Sequence, residues 1–261
     1  LRLRSTFEGD PGAFYRAMCR VQESAYCAYF DLGRHVLLSA SPELFFRMRD
    51  GRCTTRPMKG TRSRGRWSEE DRQLAEELRN SAKDRSENVM VTDLLRNDLA
   101  RISEVGSVEV PAMWSTERYP TVWQLTSTVE SRLKEGLALD EIFGALFPCG
   151  SITGAPKVRT MEIIAELERE PRGIYTGCMG YLSPGNEACF NVAIRTAHLD
   201  REKGQLEFGV GGGITWDSSA EGEYAECLVK AKVLRTRRPA FDLLETLLYE
   251  NGSFFLLDRH L

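Results

Sequence analysis

Glu223, Glu226 and Lys230 stand at i, i+3 and i+7, so two carboxylates and an amine share one face of the helix that holds them. Just upstream runs Phe208-Gly-Val-Gly-Gly-Gly-Ile-Thr215. Gly211, Gly212 and Gly213 let a ligand approach the backbone and can turn successive N–H groups toward an anion. Together the two stretches could hold a divalent cation and an acidic ligand. The plainer alternatives are a tight strand-to-helix turn and a solvated face with salt-bridged pairs. Glu87 is a further carboxylate, one turn before Val91 and in line with Val91, Leu94 and Leu95. That places it on the interior side of its helix, where it needs a partner such as a metal. Arg96, Asn97 and Asp98 read as groups that lock the same helix to its neighbours.

A second set could break and make bonds. Ser41-Pro-Glu43 and Arg56-Pro-Met-Lys-Gly-Thr61 lie on opposite sides of the Asp50-Gly51 turn, so Glu43 and Lys59 can meet at the end of a sheet. Arg56, Arg62 and Arg64 flank Lys59, and neighbouring cations favour a neutral, nucleophilic amine. Glu43 could protonate a leaving group. The alternative is a basic surface touching nucleic acid, but Trp67 is the single interleaved aromatic and the chain carries a net charge of −3. Cys149-Gly-Ser-Ile-Thr-Gly-Ala-Pro-Lys157 precedes a helix, and its hydroxyls and free amides suit a carboxylate or hydroxyl.

Short strands and long helices must position these groups. Helical spacing is predicted for Pro11–Gln22, for Ser68–Leu99 with a break near Lys83–Ser86, for Ala138–Phe147, for Pro156–Glu168, and for Ser218–Leu234 with Ser218 and Glu221 as a capping box. Strands are predicted at Tyr26–Asp31, His35–Ser39, Leu44–Arg49, Arg52–Arg56, Ser107–Val110, Val122–Val129, Gly177–Ser183, Cys189–Leu199 and Gln205–Val210. Leu1–Arg4 reads as the end of a strand whose beginning is missing, and the lack of an initial Met suggests a chain cut from something longer. Arg235–Pro239 is a basic linker, and Thr246–Tyr249 with Ser253–Leu257 flank the hairpin signal Asn251-Gly252.

With 42% hydrophobic and 28% charged residues in 261, the composition is that of a folded protein, not a disordered one. No apolar run reaches the roughly 18–20 residues of a membrane span. The seven scattered cysteines form no CxxC and read as reduced thiols of a cytoplasmic protein. Three histidines argue against a His-ligated metal or a Ser-His-Asp triad.

Taken together, Ser41-Pro-Glu43, Met58-Lys-Gly-Thr-Arg-Ser-Arg-Gly65, Glu87-Asn-Val-Met-Val-Thr-Asp-Leu-Leu-Arg-Asn-Asp98, Gly150-Ser-Ile-Thr-Gly-Ala-Pro-Lys-Val-Arg159 and Gly211-Gly-Gly-Ile214 with Glu223, Glu226 and Lys230 resemble the chorismate-utilising enzymes. The resemblance covers about Leu1–Leu234 and implies an α+β fold, with antiparallel β-sheets sandwiched by outer helices. It implies a chorismate-binding catalytic domain over 1–234, a linker at 235–240, and the start of an incomplete aminodeoxychorismate-lyase-like domain at 241–261.

Relatives making anthranilate, isochorismate or salicylate usually carry Ala where this chain has Lys59. A lysine there marks the aminodeoxychorismate synthases of para-aminobenzoate and folate biosynthesis. The implied chemistry has Lys59 attacking ring C2 of chorismate while Glu43 protonates the departing C4 hydroxyl. Ammonia from a glutamine amidotransferase subunit then attacks C4 and expels Lys59. Mg²⁺ is implied on Glu87 and Glu226, with Glu223 through water. Arg195, Tyr181, the Gly211, Gly212 and Gly213 amides and Lys230 are implied to fix the carboxylates, with Ser151 or Thr153 nearby. Gln124 stands where many relatives carry His, which leaves that position only hydrogen bonding. The other readings are an anthranilate- or isochorismate/salicylate-type enzyme and a chorismate-binding module without activity. Neither nucleic acid nor membrane is an expected partner.

Overall fold

The computed structural model describes residues 1–216, 218–236, 246, 248–250 and 252–255. The chain opens with β1 (Arg2–Thr6) and α1 (Pro11–Gln22), whose first turn is capped by Asp10 accepting from the Gly12 and Ala13 amides. Then come β2 (Tyr26–Leu32), β3 (His35–Ser41), β4 (Leu44–Arg49), β5 (Arg52–Arg56) and β6 (Met58–Ser63). Two helices follow, α2 (Ser68–Asn80) and α3 (Ala82–Ile102), before β7 (Glu109–Arg118) and β8 (Val122–Arg132). After α4 (Leu139–Leu146), α5 (Gly150–Thr153) and α6 (Lys157–Leu167) the chain returns to strands, β9 (Cys178–Ser183), β10 (Glu187–Val192), β11 (Thr196–Asp200) and β12 (Gln205–Gly209). It closes with α7 (Ala220–Ala231) and a short pair, β13 (Tyr249–Glu250) and β14 (Ser253–Phe254), flanking the expected hairpin turn. Most of the expected linker and lyase-like segment lies outside the described residues.

The fold is α+β, as expected. One sheet runs β1-β12-β11-β3-β2 and the other β6-β8-β5-β4-β10-β9 with β7 on β8; every pairing is antiparallel. Each sheet buries its outer face under helices. Val91, Leu95, Leu99 and Ile102 of α3 and Ile142 and Leu146 of α4 cover Phe45, Phe46 and Val129. Met18 of α1 and Cys227 of α7 cover Val36, Leu38, Ala197 and Phe208. Between the sheets lie Leu37, Met179 and Ala193 and a paired polar seam. In that seam Asn191 donates to Ser39 and to the Tyr26 carbonyl and accepts from the Met179 amide.

The chain crosses between the sheets at two adjacent places. At Ser41-Pro42-Glu43 it passes from β3 to β4, and at 193–195 from β10 to β11. The second crossing breaks the single strand predicted over Cys189–Leu199. Arg195 takes a left-handed φ of 51° there, a conformation that costs a non-glycine residue energy and gathers at functional sites. The two crossings are stitched together: the Val192 amide donates to the Glu43 carbonyl at 3.1 Å and the Ala40 amide to the Arg195 carbonyl at 3.1 Å.

Other elements correct the sequence reading. The helix break falls at Ser81, which caps α3 through the Asp84 amide, rather than at Lys83–Ser86. Ser219, not Ser218, caps α7 by accepting from the Gly222 amide. β6 was not predicted, because Lys-Gly-Thr-Arg-Ser has no apolar alternation to announce a strand.

Candidate active site

Glu43 sits at the first crossing, where the Ser41 hydroxyl donates to the Val192 carbonyl at 2.6 Å and accepts from the Glu43 amide. The side chain is buried and one carboxyl oxygen, Oε1, has no hydrogen-bond partner. Burial raises its pKa to about 7, held back from rising further by the Ser151 hydroxyl, the Lys59 charge and the Met58 amide. A carboxyl of that pKa holds a proton it can give near neutral pH, as the general-acid reading requires.

Lys59 is aimed by a bulge. In β6, Met58 pairs with Thr126 and Thr61 with Gln124, so one extra residue is squeezed in at Lys59-Gly60. Gly60 carries a φ of +99°, and a Cβ there would meet Asp84 at 3.1 Å, which accounts for glycine after the lysine. The Lys59 amine lies against Gly213, where an added Cβ would be 2.6 Å from Nζ. The flanking cations do not act on Lys59 as expected. Arg56 pairs with Glu117 at 2.7 Å, Arg62 with Asp84 at 3.1 Å and Arg64 with Asp71 at 2.5 Å, so each brings its own counter-charge.

The glycine loop and α7 close the opposite side. The Gly211, Gly212 and Gly213 amides make no hydrogen bond within the described residues. Lys230 reaches back to the Gly211 carbonyl at 2.7 Å and pairs with Glu226. Glu223 accepts from Ser218 through Oε1, while Oε2 is buried without a partner beside Gly212.

The third expected carboxylate is not drawn in. Among the described residues no three His, Cys, Asp or Glu side chains gather so as to hold a metal ion. The interior polar position of α3 is Asn88, one residue further on, because the buried stripe runs Asn88, Val91, Thr92, Leu95. Asn88 is satisfied by Ser127 and Leu125, whereas the Glu87 side chain is half-buried and makes no hydrogen bond or ion pair among the described residues.

Arg195 is only partly accessible and forms no ion pair among the described residues. Burial pulls its pKa down, with Tyr175 and Glu226 opposing. A desolvated guanidinium of this kind can take an anion as its partner. Tyr181, expected beside it, stands 62% exposed on β9, opposite Cys189 and near Arg47. By the period of 2 along β9 it shares the strand face of Met179. Tyr175 packs against the glycine loop: its hydroxyl lies 2.7 Å from where a Cβ of Gly211 would be. Burial pushes its phenol up to about 12, so it remains a donor. The Thr176 amide ties it to the second crossing through the Ala193 carbonyl. The sequence signal for it is a tyrosine bracketed by Gly173 and Gly177.

Ser151 faces Glu43, whose pKa its hydroxyl lowers, and lies 3.2 Å from the Cys149 sulfur. Thr153 turns its hydroxyl onto the Cys149 carbonyl and lines, with Tyr175, a cleft of about 330 Å³. The segment is fixed from behind by a buried ion pair, Lys157 to Asp98 at 2.5 Å, which bears out the locking role read for Asp98. Gln124 accepts from Thr61 at 3.0 Å.

The raised Glu43 pKa carries a stability cost. Folding takes up a proton between the ordinary value of 4.5 and about 7, so stability is retained at low pH and falls as pH rises through that window. The full penalty above pH 7 is about 3 kcal/mol. Glu43→Gln is therefore expected to raise the melting temperature relative to wild type by several degrees more at pH 8 than at pH 5. A difference between variant and wild type that does not change with pH would refute the raised pKa.

A family model described as "chorismate binding enzyme" matches residues 1–236. "Anthranilate synthase component 1" of Aquifex aeolicus is 42% identical over 89% of this chain and 47% of its own length. "Aminodeoxychorismate synthase" of Streptomyces griseus is 45% identical over 86% of this chain and 31% of its own. The solved structure of anthranilate synthase component I from Streptococcus pneumoniae superposes with a TM-score of 0.82 at 37% identity, covering 90% of this chain and 52% of that one. The chain thus spans half or less of the curated relatives it matches here.

Proposed function

The chain belongs to the chorismate-binding enzyme family, and within it we propose that it converts chorismate and ammonia to 4-amino-4-deoxychorismate through a covalent bond to Lys59. The observation that carries this reading is the Lys59 amine, placed by its bulge between Gly213 and the proton-bearing Glu43. Arg195, the Tyr175 hydroxyl and the free Gly211–Gly213 amides bind the substrate carboxylates and set ring C2 against Lys59 Nζ. The amine attacks C2, the ring double bonds shift toward C4, and Glu43 protonates the C4 hydroxyl so that it leaves as water. Ammonia then adds at C4, the double bonds shift back, and the C2–Nζ bond breaks to free Lys59. Ser151 holds the Glu43 carboxyl in place for its proton transfer, while Thr153 keeps its hydroxyl on the Cys149 carbonyl.

The all-oxygen donor set and the buried, unpartnered Oε2 of Glu223 fit a hard divalent cation such as Mg²⁺. Glu223 and Glu226 would hold it; Glu87, half-buried on α3, is not gathered with them into a cluster of three. When bound, such a cation supplies positive charge against the ring carboxylate.

None of the described helices is long and apolar enough to cross a membrane, in keeping with a cytoplasmic biosynthetic enzyme. Ammonia would come from a glutamine amidotransferase partner, because no cysteine of this sequence sits in a nucleophile-elbow context for glutamine hydrolysis. The purified chain is expected to turn over chorismate with ammonium, or with glutamine plus such a subunit. Turnover of chorismate with glutamine by the chain alone would refute the partner.

The anthranilate synthase reading stays in play because relatives of that name are equally similar. Product mass decides between them. The amino-deoxy product keeps its enolpyruvyl group, whereas anthranilate formation releases pyruvate. Stoichiometric pyruvate from chorismate and ammonium would overturn the proposal.

A further inference from the structure

Ser218 lies in the turn between the glycine loop and α7, and its hydroxyl does no helix capping, since Ser219 performs that task. The backbone turn is closed by the Ser218 amide donating to the Thr215 carbonyl at 3.1 Å. The Ser218 Oγ accepts from the Thr215 amide at 3.0 Å and donates to Glu223 Oε1 at 2.6 Å. A hydroxyl has one proton to give, and here it is committed to the carboxylate.

The consequence falls on the other oxygen. With Oε1 tied to Ser218, the Glu223 side chain can present only Oε2 to a ligand. That atom is buried, lacks any hydrogen-bond partner, and occupies space that opens only because residue 212 is glycine: an added Cβ would lie 2.6 Å from it. A buried carboxylate oxygen left bare costs free energy unless a ligand completes it. Glu226, by contrast, has its Oε1 engaged by Lys230.

We propose that Ser218 is a positioning residue for a divalent cation, fixing Glu223 so that Oε2 is its coordinating atom. This rests on the cation reading given above. Hydrogen-bonding partners of metal-binding carboxylates typically contribute ten- to a hundredfold in metal affinity.

The test is Mn²⁺ binding to the full chain without substrate, followed by electron paramagnetic resonance and calorimetry, for wild type, Ser218→Ala, Ser218→Thr and Glu223→Gln. The expected result is a Kd raised about tenfold or more by Ser218→Ala, with an unchanged melting temperature. Ser218→Thr keeps the hydroxyl and is expected to stay close to wild type, while Glu223→Gln binds most weakly. If wild type binds Mn²⁺ and Ser218→Ala binds it equally well, the role of Ser218 is overturned and the cation reading stands. If Ser218→Thr is as weak as Ser218→Ala, the hydroxyl is not the cause and the proposal falls. If wild type binds no Mn²⁺, the cation reading itself fails and takes this inference with it.

Discussion

Lys59→Ala is expected to abolish amination at C4, with a loss on the order of a thousandfold or more, as befits removal of a nucleophile. The wild-type chain incubated with chorismate but no ammonia should carry an adduct of chorismate minus water on the peptide containing Lys59. The variant should carry none. Geometry makes the test specific. The amine is set by the Lys59-Gly60 bulge and lies against Gly213, so truncation at Cβ empties one position without disturbing the paired residues on either side. The three nearby arginines keep their carboxylate partners in the variant, so the local charge balance changes by the lysine alone. With the amine gone, ammonia can reach C2 directly, and a small flux to a C2-aminated product is the expected residue. C4 amination by the variant at the wild-type rate would reduce Lys59 to an electrostatic or positioning group and end the covalent mechanism.

Much of this site was legible because its residues are placed by local rules. Glu43 and Lys59 come together across a turn whose Asp50-Gly51 signal is plain, and Glu223, Glu226 and Lys230 share a helix face by period alone. What stayed hidden depends on tertiary placement. No pattern within Cys189–Leu199 announces that the chain changes sheets at 193–195, yet that crossing sets the left-handed backbone of Arg195. Tyr175 lies ahead of β9, in a turn whose local sequence does not announce that its ring packs against Gly209 and Gly211. Glu87 shows the limit of a helical stripe. A shift of one residue, about 100° of helix rotation, puts Asn88 in the interior and leaves Glu87 half-buried. The cations around Lys59 misled for a related reason: sequence shows the arginines but not Glu117, Asp84 and Asp71, which come from three other elements.

Glu226→Gln and removal of divalent cations are expected to converge on the same loss. Turnover should stop in excess chelator and return with Mg²⁺, and Glu226→Gln should lower kcat/KM on the order of a hundredfold or more. The ion pair already present at this residue sharpens the expectation. Lys230 holds Glu226 and the Gly211 carbonyl together, so a cation approaching Glu226 must share the carboxylate with an ammonium group. The two charges compete for one oxygen, and removing either should move cation affinity in opposite directions. Glu226→Gln should weaken Mn²⁺ binding, because an amide oxygen carries no net charge. Lys230→Met should tighten it, because the carboxylate is released, while raising the KM for chorismate, because a cation facing the substrate carboxylates is lost. A merely structural salt bridge predicts a different pattern: both variants would lower the melting temperature alike and leave cation affinity where it was. Full activity in excess chelator would sink the cation altogether, and would leave Glu226 and Lys230 as a pair that braces α7 against the glycine loop.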